Sequence, residues 1–161
     1  MAPSLEFLCR RIEEMSKPVI AFLEGHVAGA GLEIALAAHA RVAHPNARLG
    51  FPDLHMGLCP SGGATQRLPR LVGAARALEM LIGAVAHRAN SRVCTGLVDR
   101  LTNGAKGLEQ AVEYAQDIYQ SGLWARTRDR SDGFENADLY VQNIADWRAR
   151  QGCDRRAEKE I

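Results

Sequence analysis

Pro18-Val-Ile-Ala-Phe-Leu-Glu-Gly-His-Val-Ala-Gly-Ala-Gly-Leu-Glu33 decides the fold class, because it reads as a strand, a glycine turn and the opening of a buried helix. Val19, Ile20, Phe22 and Leu23 form a short apolar run of strand type, closed by Gly25 and the Gly29-Ala30-Gly31 turn. A helix then runs from about Gly31 to Arg41. It is apolar nearly all round, the pattern of a helix packed on several sides. Glu33 is the exception, and burying a carboxylate costs several kcal/mol unless it is paired or changes protonation state. Two readings of it stay open: an acid that favours the helix dipole or meets an arginine, or a desolvated carboxyl with a raised pKa, usable as a general acid or base.

The turn itself has chemical capacity. A helix start leaves about four N–H groups without partners and carries partial positive charge, which suits an anion or a developing oxyanion. Gly29, Ala30 and Gly31 are small enough for a ligand to approach that backbone. A dinucleotide fingerprint competes for the same residues, but it needs a third small residue at position 34, where Ile34 stands, and no phosphate-binding P-loop pattern occurs. An oxyanion site therefore ranks above a nicotinamide site. Asp53 offers a second carboxylate, at the end of an extended segment, and only the fold can bring it to Glu33.

On the amino-terminal side, Ser4 caps a helix whose Leu5, Leu8, Ile12 and Met15 share a face, with Glu6 in its first turn and an end before Lys17-Pro18. On the other side, Arg48 to Phe51 is extended, and Pro52-Asp53 leads into a glycine-rich loop through Pro60-Ser61-Gly62-Gly63, the type of segment that carries function. Helices follow over Thr65 to Leu71 and from Ala74 to Leu81, the second with Ala77, Leu78, Leu81 and Ile82 on one side. Residues 96–101 read as a turn and short strand. Leu108, Ala111, Val112, Ala115, Ile118 and Tyr119 then make a helical stripe suited to ordinary packing. From Arg126 the chain is densely charged, although Tyr140, Val141, Ile144 and Trp147 share a face fit to dock on the body or on a neighbouring subunit. Short strands alternating with helices, without a dividing linker, indicate one α/β domain.

Composition narrows the function. The 161 residues are 47% hydrophobic and 24% charged, and 20 basic against 19 acidic side chains leave a net charge of +1. Nothing there attracts a polyanion, so neither nucleic acid nor an anionic membrane is an expected partner. No apolar run reaches the roughly 20 residues of a membrane span. No secretory signal is visible, and the expected location is cytoplasmic. Cys9, Cys59, Cys94 and Cys153 lack zinc-site spacing and read as free thiols. His26, His39, His44, His55 and His87 show no close ligand pattern, so no metal site is expected.

Four segments taken together are highly specific: Lys17-Pro-Val-Ile-Ala, Gly25-His-Val-Ala-Gly-Ala-Gly-Leu-Glu33, Ala47-Arg-Leu-Gly-Phe-Pro-Asp53 and Gly57-Leu-Cys-Pro-Ser-Gly-Gly-Ala-Thr-Gln-Arg-Leu-Pro-Arg-Leu-Val-Gly73. The chain closely resembles the crotonase superfamily of enoyl-CoA hydratases and isomerases over about residues 5 to 122. Its glycine turn most resembles the hydratase portion of multifunctional fatty-acid β-oxidation enzymes. The resemblance implies an α/β crotonase-like fold, a repeated β-β-α spiral, truncated at its amino terminus and ending in carboxy-terminal helices. Residues 1–122 would be a partial core and 123–161 a charged helical segment for oligomer contacts.

By the same resemblance, Ala30 supplies one of two oxyanion-hole N–H groups, and Glu33 and Asp53 are the two catalytic carboxyl groups. Gly29, Gly31, Pro60, Ser61 and Gly62 lie around substrate and water. The substrate would be a 2-enoyl-CoA thioester, with coenzyme A entering only as part of it and no cofactor. A carboxylate pair favours hydration over isomerisation. Asp53 is one methylene, roughly 1.5 Å, shorter than the family's glutamate, Ser61 replaces a glycine, and the family segment bearing the other oxyanion donor has no counterpart here. Homo-oligomers, trimers or hexamers, are the family habit. Two alternatives remain open: a non-catalytic or weakly active assembly module, and half of a site completed by another polypeptide.

Overall fold

A strand–strand–helix unit occurs twice in succession, and its repetition organises the molecule. The computed structural model describes residues 3–131, 138, 141–146 and 148–149. The first unit is β1 (Ile20–Leu23), β2 (His26–Ala28) and α2 (Ala30–Ala37); the second is β3 (Ala40–Ala43), β4 (Arg48–Gly50) and α3 (Ala64–Val72). The leading strands share one sheet: β1 pairs with β3 in parallel from Ile20–Ala40 to Leu23–Ala43, and β3 with β6 (Arg100–Leu101). The second strands share another, where β2 lies parallel to β4 and antiparallel β5 (His87–Arg88) closes the edge. Leu32, Leu36, Leu49, Phe51, Leu68 and Met80 fill the space between sheets and helices.

The local signals hold where they are strongest. In α1 (Leu5–Glu13) the Ser4 hydroxyl accepts the Phe7 N–H at 3.2 Å, as an N-cap should. The face it buries differs from the apolar stripe. Cys9 and Glu13 are buried, Leu5 and Ile12 half-buried, while Leu8 and Met15 are exposed. A buried ion pair of Glu13 with Arg67, described below, turns the helix away from its simplest apolar orientation.

The helix expected to run to Arg41 stops at Ala37, and Ala40–Ala43 enter the sheet. All four residues of β3 are buried, as in a central parallel strand covered on both faces, so its alanines mimic a buried helix in sequence. Strand β2 hides inside what reads as a turn, since three residues leave no periodicity. In α4 (Ala74–Ile82) the core receives Met80, and Ile82 points outward. Helix α5 (Gly107–Ser121) buries only Gly107 and Ala111, with Leu108, Val112 and Tyr119 exposed. It meets β1 through Gly107, where an added Cβ would lie 2.6 Å from the Phe22 ring.

Beyond α5, Thr127 is fully buried against Ala38 and Arg41. Residues 138, 141–146 and 148–149 are helical. Ile144 reaches an apolar cavity of about 330 Å³ beside α3 and α4, whereas Val141 is exposed. Tyr140 and Trp147, the other members of that expected face, lie outside the described residues. Among the described residues no helix is long and apolar enough to cross a membrane.

Candidate active site

A pocket of about 260 Å³ opens where the start of α2, the turn after β4 and the loop before α3 converge. Gly29, Ala30, Glu33, Asp53, Pro60 and Ser61 line it. Residues that only the fold could unite are thus in one cavity. Leu5, Phe51, Leu58 and Cys59 complete the wall. No sequence signal singled these four out for the site, although Leu58 and Cys59 sit inside the glycine-rich run.

Glu33 is 2% exposed, and its carboxylate binds one short loop. Oε1 accepts the Ser61 N–H at 3.0 Å; Oε2 accepts those of Gly62 at 2.7 Å and Ala64 at 3.0 Å. Ala64 is the first residue of α3, and its N-cap, Gly63, has no side chain to offer. Glu33 therefore caps a neighbouring helix from across the core, with its negative charge at the positive end of the dipole. A carboxylate has about four lone-pair positions. Oε2 has both of its own filled, and Oε1 retains one for a water or substrate proton in the pocket. Behind it, burial pushes the Cys9 thiol up from its ordinary range, so it stays protonated and donates to the Glu33 carbonyl at 3.6 Å.

The glycines around this carboxylate are spatial requirements. An added Cβ at Gly62 would lie 2.8 Å from Leu5 Cγ and 3.2 Å from Glu33 Cβ. At Gly29, the N-cap of α2, φ is 51° and ψ is −125°, and an added Cβ would collide with Asp53 Oδ2. The turn is glycine so that Asp53 can lie against it. Asp53 sits near the start of a 3₁₀ turn over Pro52–Met56, and its carbonyl accepts the Leu58 N–H at 3.2 Å.

Ala30 is the first residue of α2, so its N–H has no acceptor within the helix. Ala30 lines the pocket together with Glu33 and Asp53. Gly31 lies outside the lining, exposed and with open space around its Cα. Gly62 is behind Glu33 and contributes its N–H rather than a pocket surface.

The chain is similar to known proteins. The enoyl-CoA hydratase/isomerase family model matches residues 1–128. The peroxisomal fatty acid beta-oxidation multifunctional protein AIM1 of Arabidopsis thaliana is 44% identical over 115 residues, covering 71% of this chain and 16% of that protein. The peroxisomal bifunctional enzyme of Danio rerio is 42% identical over 152 residues, covering 89% of this chain and 21% of that protein. Among solved structures, the enoyl-CoA hydratase of Thermoplasma volcanium superposes with a TM-score of 0.65 at 31% identity, over 72% of this chain and 46% of that one. The chain spans about a fifth or less of these two curated relatives and under half of the solved hydratase. With the paired strand–strand–helix units and this family match, the chain belongs to the enoyl-CoA hydratase/isomerase family and has the crotonase fold.

Proposed function

We propose that the pocket binds a 2-enoyl-CoA thioester and adds water across its conjugated double bond. The observation that carries this reading is the meeting of two carboxylates, Glu33 and Asp53, with the free N–H at the start of α2 in one cavity. The thioester oxygen faces the Ala30 N–H, which stabilises the negative charge that builds on it as the enolate forms. Water held at the remaining acceptor position of Glu33 Oε1 attacks the β-carbon. The carboxyl pair takes one water proton and returns a proton to the α-carbon. An isomerase needs to shuttle one proton and no water, so the second carboxylate favours hydration. Ser61 and Gly62 act through their N–H groups, by fixing Glu33.

The test is loss of the conjugated enoyl thioester absorbance on adding a short 2-enoyl-CoA. Glu33→Gln and Asp53→Asn should each slow it by about 10²–10⁴-fold; unchanged rates in both would overturn the assignment. A second reading has its own support. The pocket lining offers one backbone oxyanion donor, and each such donor is worth about 10²–10³ in rate. In that reading a second polypeptide supplies the other donor, and this chain alone binds an acyl-CoA analogue in calorimetry yet turns over poorly. No binding at all would support the assembly-module alternative.

Exposed apolar groups support self-association. Phe7, Leu8 and Met15 on or just after α1, and Leu108, Val112 and Tyr119 on α5, are uncovered. We infer a homo-oligomer, a trimer or a hexamer, and light scattering that shows a stable monomer would contradict it. The two relatives named above are peroxisomal; a tagged chain that gathers in punctate organelles would support the same location for this one, and a diffuse one would support the cytoplasm.

A further inference from the structure

We propose that Arg67, held by Glu13, is a positioning residue that fixes the direction of the Glu33 carboxylate by gripping Gly62 from the opposite side. Its rate consequence rests on the acid–base role proposed for Glu33. Glu13 on α1 and Arg67 on α3 are 1% and 8% exposed. The Arg67 Nε–H and Nη2–H donate to the two Glu13 carboxylate oxygens, each at 2.8 Å, as a two-pronged fork. The third arm, Nη1–H, donates to the Gly62 carbonyl at 2.5 Å. On the other side of the same Cα, the Gly62 N–H donates to Glu33 Oε2 at 2.7 Å.

Gly62 is therefore clamped between an anion that orients its N–H and a cation that orients its C=O. The adjacent glycine completes the fit. Gly63 has φ of 94°, and a Cβ there would collide with Arg67 Nη1. The two successive glycines thus make room for different side chains, Gly62 for Leu5 and Glu33, Gly63 for Arg67. A pair that served only to tie α1 to α3 would be complete with the fork to Glu13. The third arm acts on the loop, and through Ser61, Gly62 and Ala64 it sets where the unfilled position on Glu33 Oε1 points. A displacement of about 1 Å at a reacting group costs on the order of 10² in rate.

Arg67→Lys separates the two roles, because an ammonium keeps the charge opposite Glu13 but lacks a planar fork that also spans to a carbonyl. In the whole chain, amide NMR should show the Ser61, Gly62 and Ala64 N–H resonances of R67K shifting and exchanging with solvent about 10–100-fold faster, the range for one charge-assisted hydrogen bond lost. Amides of β1 and β3 should stay unchanged. Those three amides remaining as in the parent, in a folded R67K, would overturn the proposal. Glu13→Gln provides a second variant with the same expected signature. If neither folds, the reciprocal measurement decides: Glu33→Gln should move the Arg67 Nη1–H resonance, the arm on Gly62, and leave that of Arg76 in place, and an unmoved Arg67 Nη1–H signal would overturn the proposal.

The rate arm is separate. With a short 2-enoyl-CoA, R67K should lose kcat by about 10–100-fold with little change in KM, the mark of misplaced chemistry rather than lost binding. Moved amides in a parent protein that never hydrates the thioester would reject the proposed reaction and leave the clamp standing. Unmoved amides in an active parent would do the reverse.

Discussion

Glu33 and Arg41 are both buried charges, one near the start of α2 and the other in the strand that follows it, yet the molecule satisfies them in different ways. Glu33 draws its three N–H donors from a single loop, Ser61 to Ala64, and keeps one acceptor position toward a pocket. Arg41 is 0% exposed and binds segments scattered along the chain: its Nε–H donates to Leu97 O at 2.7 Å, Nη1–H to Ala38 O at 2.9 Å and Nη2–H to Asp99 at 2.8 Å. Thr127 adds its hydroxyl at 3.4 Å, and Asp99 also accepts the Arg41 backbone N–H. Arg41 lines none of the cavities described above. Spreading the partners over three segments makes a charge a clasp for the fold, whereas drawing them from one loop with a position left toward a pocket suits the acid–base role proposed for Glu33.

Breaking the clasp should have the largest effect. Arg41→Met takes the guanidinium away from Asp99 and from the Leu97 and Ala38 carbonyls, and loss of one member of a buried pair costs about 3–5 kcal/mol. Chemical denaturation should record that loss; a cost below about 1 kcal/mol would mean that the Arg41 cluster does not hold the fold. Glu33→Gln is the contrasting case. A carboxamide still accepts N–H groups on its oxygen but turns an NH₂ toward another, so stability should fall by only about 1–3 kcal/mol while turnover falls far more. Equal damage to stability and turnover would erase the distinction between the two charges.

Gly29→Ala comes next in size and tests the turn against which Asp53 lies. Its backbone lies in a region that L side chains rarely adopt, and the new methyl would displace Asp53. Strain of about 1–3 kcal/mol is expected. With a 2-enoyl-CoA the rate should fall as it does in Asp53→Asn, and combining the two substitutions should cost less than the sum of both, because each removes the same carboxylate from its place. Additive losses would separate Gly29 from Asp53.

The two charges were unequally legible in the sequence. Glu33 stands out because an acid interrupts an otherwise apolar segment, and the family resemblance paired it with Asp53, which no helical spacing could do. Arg41 read as the last residue of a helix. Its role depends on Asp99, 58 positions away, and on strand pairing with β1 that overrides the helical propensity of an alanine-rich run. The same physics concealed which face of α1 is buried: Glu13 is buried because Arg67 pairs with it, and an apolar stripe through Leu8 and Met15 carries no trace of that partner. What periodicity misses here is set by pairs of charged residues distant in sequence.

His39, beside Arg41, gives the smallest and most specific effect. It is 5% exposed and its Nδ1 accepts the Val19 N–H at 3.0 Å, a bond that requires the nitrogen unprotonated. Burial, and then the Arg126 charge with a smaller contribution from Arg41, hold its pKa below the ordinary 6.5, against an opposing pull from Glu13. Between the lowered folded value and about 6.5 the unfolded chain binds more protons than the folded one, so stability rises with pH across that window. The contribution is complete above about 6.5 and is lost as pH falls through the folded pKa. His39→Gln keeps an acceptor for Val19 but cannot titrate. Urea midpoints measured from about pH 5 to about pH 8 should converge for parent and variant on the acid side and separate toward neutrality, because only the parent loses stability on protonation. A parent-minus-variant difference that is flat with pH would remove His39 from the acid response and leave the Arg41 side of the molecule without its proton sensitivity.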